Sequence, residues 1–310
     1  MTQTPSVAVI GAGIAGAACA QALSRAGVGV RIFDKGRALG GRLATRRTGA
    51  WQWDHGAQSI SAKDASFARL VSNLPDWSSD APALGKVGSP AQNQIVKAML
   101  DGLSLKLDTR VTQLSRAKPG DWRIRTSDSS VYSGFDAIAL AVPAPQAQAL
   151  INNVRVFPEL VGVQMDPCWA LMVATPRPLT LPRTLSSPHE HIAWLAADHT
   201  KPDRPDTGGQ YVLHATAAWS ERHLEMPGNV VKAHLLGYFN ELAGAVEVSY
   251  ACAHRWRYGL TALPLAQPCL YQGSLALGVC GDWCLGSRVE HGFLSGRALA
   301  DRIARALLDD

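Results

Sequence analysis

Residues 7–35, VAVIGAGIAGAACAQALSRAGVGVRIFDK, set three glycines in the order G-x-G-x-x-G between two apolar runs. This spacing narrows the fold more than any other feature of the chain. Residues 7–10 predict a buried parallel strand, 14–25 an Ala-rich helix and 28–33 a second strand, together a βαβ unit. Gly11 permits the tight turn out of the strand, Gly13 lets the backbone approach a pyrophosphate, and Gly16 lets the helix pack close to the sheet. Ala12, Ile14 and Ala15 complete the cradle, where the helix N-terminus offers unpaired N–H groups to an anion. Asp34 follows Gly16 by eighteen residues and ends the second strand, placed to accept hydrogen bonds from a ribose diol, with Lys35 beside it.

The 310 residues are enough for two domains, and 47% hydrophobic with 18% charged residues is the composition of a globular protein. The net charge of +5 is spread thinly apart from Arg42, Arg46 and Arg47. That pattern argues against nucleic acid and suits a phosphate-bearing ligand. Cys19, Cys168, Cys252, Cys269, Cys280 and Cys284 form no C-x-x-C pair, and no histidine cluster has zinc-site spacing. They read as small apolar residues in a reducing compartment, with no metal. No signal peptide and no run of about twenty apolar residues is present, so the expectation is a cytoplasmic protein without membrane partners.

The next segment, KGRALGGRLATRR (35–47), makes a glycine loop with a fixed cation at Gly40, Gly41 and Arg42. It resembles the G-G-R motif of the flavin amine oxidase superfamily, which implies that Arg42 approaches a flavin and its diphosphate. WDHGAQSIS (53–61) is similar to the stretch of that superfamily lying beside the isoalloxazine ring, which implies that Gly56, Ala57, Gln58 and Ser59 border the flavin. LALGVCGDWCLGSRVEHGFLSGRALADRI (275–303) resembles its C-terminal flavin motif. There Gly281 turns the chain, Asp282 would bond the ribityl chain, and the amides of Val289, Glu290 and His291 would face the pyrimidine carbonyl. A helix N-terminus stabilises the negative charge of a reduced flavin. The implied cofactor is non-covalent FAD. TRVTQLSR (109–116) resembles the strand near the adenine, with Val111 in contact.

These motifs lie at opposite ends of the chain, so the FAD domain is expected to be discontinuous. The expected fold is α/β: a Rossmann-like FAD-binding domain (1–72, 99–150, 262–310) and a mainly antiparallel β substrate domain (73–98, 151–261). The latter rests on the β-rich segments WALMVAT, HIAWLAAD, QYVLHATAAW and EVSYACAHRWRYG, with a helix near 230–242. No second G-x-G-x-x-G follows a strand, so a substrate must reach the flavin through the substrate domain.

The segments LHATAAWS, CAHRWRYG and VCGDW resemble the renalase-like branch of the superfamily. That resemblance implies oxidation of the misplaced 1,2- or 1,6-dihydro isomers of NAD(P)H, with hydride passing to flavin N5 and electrons then to O2 to give H2O2. Such a reaction aromatises the nicotinamide and needs no general base; orientation dominates. The candidate substrate residues are Trp256 and His214, then Gln58, Trp194 and Tyr258. Arg257 should point away from Trp256, because successive strand side chains alternate. Lys63 is a further candidate phosphate contact. Amine or polyamine oxidation is the alternative, although a pair of cage tyrosines and a flavin-contacting lysine are not recognisable. A lipid desaturase and a non-catalytic flavin scaffold are the remaining readings.

Overall fold

The computed structural model describes residues 4–78, 84–118, 120–152, 154 and 156–309. Positions 1–3, 79–83, 119, 153, 155 and 310 of the expected domain ranges lie outside them.

The chain opens with β1 (Ser6–Ile10), α1 (Ile14–Arg25) and β2 (Gly29–Phe33). A hairpin follows, β3 (Thr45–Thr48) and β4 (Trp51–Asp54), then α2 (Ala65–Val71), α3 (Gln94–Leu100) and β5 (Ser104–Lys106). Next come β6 (Val111–Arg116), β7 (Trp122–Thr126), β8 (Val131–Phe135), β9 (Ala137–Leu140) and α4 (Ala144–Ile151). The β-rich region holds β10 (Gln164–Thr175), β11 (Thr184–His189), β12 (Ile192–Ala197), β13 (Gly209–Ala215), α5 (Ala217–Arg222), α6 (Gly228–Ala243) and β14 (Tyr250–Leu263). The chain closes with β15 (Leu270–Gln272), β16 (Leu277–Val279) and α7 (Val289–Leu308).

Four sheets result. A six-stranded sheet runs β15-β16-β9-β1-β2-β5, parallel except at β15. The chain ends therefore share one sheet, as the two flavin motifs require. Helices α1 and α7 pack together over it through small residues. A Cβ on Gly296 would stand 2.1 Å from the Ala15 carbonyl oxygen, so only glycine permits that approach. Phe293, Leu299, Ala300 and Ile303 bury against Ala15, Cys19 and Leu23 in the same core.

The second large sheet is antiparallel, in the order β11-β12-β13-β10-β14. Alternation along β10 and β13 gives each side its own task. Trp169, Leu171, Val173, Tyr211 and Leu213 bury against Trp219, Val231, Leu235 and Phe239 of α5 and α6. Met172, Ala174 and Val212 face Trp53 instead, on the opposite side. A sheet with one face under a helix and one face toward a site suits a substrate platform.

Three elements depart from the sequence expectation. QYVLHATAAW is not a single strand. The hydroxyl of Thr216 accepts the Trp219 N–H at 3.3 Å and starts α5, a cap that wins over the apolar run. The edge strand β11 follows the turn-rich stretch TPRPLTLPRT (175–184) and was not among the expected β segments; its ladder to β12 is irregular. The small sheet β6-β7-β8 adds two strands around the expected β6. Among the described residues no helix is long and apolar enough to cross a membrane, and no group of His, Cys, Asp or Glu could hold a metal ion. All six cysteines are free thiols.

Candidate active site

A cleft of about 1630 Å³ runs from the glycine turn after β1 to the inner face of the antiparallel sheet. Clefts for a single small ligand measure about 300–1,000 Å³, so this one has room for a dinucleotide and a second molecule. Its floor tests the cofactor expectation residue by residue. Gly11 has φ +110°, and a Cβ there would meet the Ala141 carbonyl oxygen at 2.3 Å; a Cβ on Gly16 would meet the Gly11 oxygen at 1.8 Å. Those two glycines are demanded by the protein's own packing. Gly13 is different. Its nearest neighbour would be the Gly40 oxygen at 4.0 Å, ordinary contact, so the space above it is left for a ligand.

Asp34 accepts the Ala12 N–H and the Gly36 N–H, each at 2.6 Å. The sequence reading gave it only to a ribose diol. It first ties the glycine turn to the end of β2, and each carboxylate oxygen keeps a lone pair for a sugar hydroxyl. Val111 is buried among Phe33, Leu114 and Leu140 beneath this end. The G-G-R loop winds into a short helical turn at Gly41–Leu43, with Gly40 at φ +117°. The Arg42 guanidinium grips both Asp282 oxygens, at 2.8 and 2.5 Å, and reaches the Gly259 oxygen at 3.2 Å. The N-terminal and C-terminal motifs are thus locked by one bidentate ion pair.

The segment after β4 follows from close packing: a Cβ on Gly56 would meet the Arg42 oxygen at 1.9 Å, and the Ala57 N–H donates to that oxygen at 2.9 Å. Gly56, Ala57, Gln58 and Ser59 line the cleft as expected, with Gly281, Asp282 and Val289. Glu290 and His291 do not. The Glu290 carboxylate accepts the Lys63 and Asp64 N–H groups at 2.5 and 2.6 Å, holding the loop before α2 against α7. The His291 amide donates to the Arg288 oxygen inside the helix. Lys63 is exposed and outside the cleft. The helix N-terminus is where the sequence placed it, but its acid serves the scaffold.

Gln58 also has a different task. Its amide NH2 donates to the Asp54 and Gly56 oxygens, and its Oε1 accepts from Lys201 at 3.2 Å. With every polar atom engaged, it fixes the 54–58 bend. Lys201 belongs to a buried ion cluster that the sequence did not disclose. Asp54, Asp198, Lys201 and Arg204 all have side chains with no exposed surface. The Lys201 ammonium reaches Asp198 at 2.6 Å and Asp54 at 3.2 Å, and lies 4.8 Å from the Trp77 ring centre. Burial pushes the Asp54 carboxyl up, but Lys201, Arg204, Thr45 and the Gln92 amide outweigh it and hold it below the usual carboxylate range. In sequence, Asp198 ends the β-rich segment HIAWLAAD, and Lys201 and Arg204 fall in the turn-rich stretch TKPDRPDTGG (200–209); their charges find partners only through the tertiary fold.

On the sheet side, Trp194, His214, Ala170 and His254 stand directly opposite one another across β12, β13, β10 and β14. They form one row on the cleft side of the sheet, where Trp194, His214 and His254 line the cleft and the small Ala170 is buried beneath them. His55 joins the row from the 54–58 bend. It meets His254 edge-on at 4.7 Å and stacks on Trp256 at 5.0 Å. The His55 carbonyl accepts the Trp256 indole N–H at 2.9 Å and bonds His214 Nε2 at 3.2 Å. Because a carbonyl only accepts, His214 carries its proton on Nε2 and presents Nδ1 as an acceptor. Trp194 and Tyr258 also line the cleft, and the buried Trp194 Nε1 has no partner among the described residues. Arg257 turns outward as alternation requires, onto Glu225 at 2.6 Å. His55 and His254 were passed over in sequence, although His254 lies two residues before Trp256 on one strand and so shares its face.

Burial leads the lowering of all three imidazoles: His55 to about 3, His214 to about 4 and His254 to about 4. The nearby Arg46 adds to the effect at His55 and His254. The row is therefore uncharged at neutral pH. Because the folded values lie below the unfolded value near 6.5, the folded state is favoured above that pH and loses stability as pH falls toward 4. Each histidine is expected to cost about 1–2 kcal/mol by pH 5. Thermal unfolding at pH 7.5, 6.5, 5.5 and 4.5 measures it. Replacing His214 with Gln should flatten the slope.

With this geometry in hand, comparison with known proteins is informative. Residues 9–74 match the sequence family described as NAD(P)-binding Rossmann-like domain, and residues 84–304, more than half the chain, match the one described as Flavin containing amine oxidoreductase. The fold is similar to a chain from Exiguobacterium sp. assigned as a protoporphyrinogen oxidase: TM-score 0.74, 13% identity, covering 98% of this chain and 99% of that one. Cyclohexylamine oxidase from Brevibacterium oxydans gives TM-score 0.72 at 13% identity, covering 98% of this chain and 100% of that one. A putrescine oxidase redesigned in its cofactor binding gives 0.72 at 13%, covering 97% and 99%. The glycine cradle, the Arg42–Asp282 lock and the α7 N-terminus fit FAD, the cofactor expected of such proteins. The chain belongs to the family of flavin containing amine oxidoreductases.

Proposed function

We propose that the protein is a renalase-like, FAD-dependent oxidase of the 1,2- and 1,6-dihydro isomers of NAD(P)H, returning NAD(P)+ and reducing O2 to H2O2. One observation carries this reading: the substrate side of the cleft is an uncharged row of histidine and tryptophan with no carboxylate free to meet a cation. Among the described residues, the carboxylates lining the cleft are Asp34 and Asp282, one held by backbone amides and the other by Arg42. An alkylammonium ion entering here would be desolvated without a partner. A dihydronicotinamide ring carries no charge and needs only walls and an amide contact.

FAD, when bound, supplies the two-electron acceptor. The chain's residues bind and orient. Trp256, pinned by the His55 carbonyl, walls the pocket, with Trp194 and Tyr258 flanking it. His214 Nδ1 is free to accept from the carboxamide NH2. The sheet with α5 and α6 keeps water away from one side. The division is then an FAD domain (1–72, 99–150, 262–310) and a substrate domain (73–98, 151–261), in a cytoplasmic protein. Amine oxidation remains the second reading, favoured by the family match and the cyclohexylamine and putrescine oxidases of similar fold.

Anaerobic stopped-flow separates the two. Mixing the yellow holoenzyme with 1,2-, 1,6- or ordinary 1,4-dihydro-NAD(P) should bleach the flavin band near about 450 nm within seconds for a misplaced isomer and far more slowly for the 1,4 form. No bleaching by any isomer, with bleaching by a primary amine, transfers the assignment to amine oxidation. No bleaching by either leaves a flavin scaffold.

A further inference from the structure

The row of neutral rings accounts for the walls of the pocket, not for how a dinucleotide's charge is held. Arg46 is the residue left over. It sits on β3 opposite Trp53 of β4, so the two side chains share one face of the hairpin. That face looks toward the sheet: Trp53 stacks on Tyr250 at 5.6 Å, and the Trp53 indole N–H donates to the Val173 oxygen. Arg46 is half-buried and lines the cleft. Its recorded contact is a weak one, to Cys252 Sγ at 4.0 Å, and no carboxylate pairs with it among the described residues.

Of the other cations lining the cleft, Arg37 is exposed close behind Asp34 at the nucleotide end, and the rest are engaged or exposed. Arg42 holds Asp282, Arg255 and Arg257 hold Glu225, and Arg288 holds Glu290 and Ser61. Lys35 reaches Gln146 and sits with Arg110 beside Asp34, at the nucleotide end of the floor. Arg47 alternates to the opposite face and is exposed. Among the described residues, Arg46 is thus the half-buried guanidinium on the sheet side of the cleft that has no carboxylate partner. Its charge is felt by His55 and His254, which places it next to the ring pocket. A half-buried guanidinium left without a counter-ion favours an anion that can accept two of its N–H groups at once, as a phosphate does.

We infer that Arg46 binds the diphosphate of the dinucleotide substrate while its nicotinamide lies against the His55–His254–Trp256 wall. The site selects phosphorylated dihydronicotinamides over the bare riboside. This inference rests on the proposed function, and its test separates the two. In holoenzyme saturated with FAD, Arg46→Met should raise the apparent Kd for 1,6-dihydro-NAD, read from the saturation of flavin bleaching, by about 10–100-fold. The bleaching efficiency of 1,6-dihydronicotinamide riboside, which has no phosphate, should move by less than about twofold. Arg46→Lys should recover part of the dinucleotide affinity, since it keeps the charge and loses the fork.

Equal losses for both substrates would overturn the inference, because a purely structural arginine would weaken both. An unchanged dinucleotide affinity would overturn it as well. A second arm needs no turnover. Inorganic pyrophosphate, titrated into the oxidised holoenzyme, should perturb the flavin spectrum in the wild type and not in Arg46→Met. If no dihydronicotinamide bleaches the wild-type flavin, the proposed reaction fails, yet this arm still decides the anion site. Identical pyrophosphate binding by the two proteins overturns it. So does tighter wild-type binding of succinate than of pyrophosphate, which would assign Arg46 to a carboxylate.

Discussion

Lys201→Met is expected to destabilise the holoenzyme by about 3–5 kcal/mol and to lower its FAD content. The ammonium is fully buried and gives its donors to Asp54, Asp198 and Gln58. Methionine fills similar space but leaves two buried carboxylates facing Arg204 alone. The loss then passes directly to the cleft. Gln58 Oε1 loses its donor, and Gln58 is what ties the Asp54 and Gly56 carbonyls into the bend beside the flavin site. Urea unfolding followed by tryptophan fluorescence gives the stability change, and the ratio of flavin to protein absorbance gives the occupancy. The double variant Lys201→Met, Asp198→Asn restores charge balance and should recover a good part of the loss. A simple packing defect would not be rescued this way.

Gly13→Ala should leave the fold intact and still lower FAD affinity by about 100-fold, the order expected when a backbone can no longer approach the pyrophosphate. Its φ of −81° suits any residue, and a methyl there meets nothing closer than the Gly40 oxygen at 4.0 Å. Gly16→Ala is the contrast. Its methyl would overlap the Gly11 oxygen at 1.8 Å, so the turn itself must break. Circular dichroism and FAD titration of the apoproteins distinguish the two: native-like spectrum with weak binding for Gly13→Ala, altered fold for Gly16→Ala. Equal FAD affinity of Gly13→Ala and wild type would mean that the cofactor's diphosphate does not lie over this glycine.

The contrast between those glycines also bears on what a sequence can convey. The βαβ unit was legible because its signal is local: the glycine spacing, the flanking apolar runs and Asp34 all lie within residues 7–34. The helix 14–25 and the strand ends at Ile10 and Phe33 were therefore readable to the residue. The C-terminal motif and the helix from Val289 were legible for the same reason. The role of the Glu290 carboxylate was not legible, because its partners, the amides of 63 and 64, are remote in the chain. The ion cluster failed similarly, since Asp54 and Lys201 meet only after two sheets have packed. The histidine row depends on strand register, and register is set by which face must be buried. His214 was found as a single residue. Its alignment with Trp194, Ala170 and His254 needed the pairing itself.

The contribution of both chain ends to one sheet has a temporal consequence. As the protein leaves the ribosome, the glycine cradle emerges well before α7 and stays half-built until that helix has been synthesised. Until then Ala15, Cys19 and Leu23 of α1 lack the apolar partners Phe293, Leu299 and Ile303. Asp282, the anchor of Arg42, is missing throughout the same interval. FAD capture is thus a late event in biogenesis, and the nascent chain carries an open apolar groove for most of its synthesis. Flavin supply and chaperone occupancy then set the yield of active protein jointly.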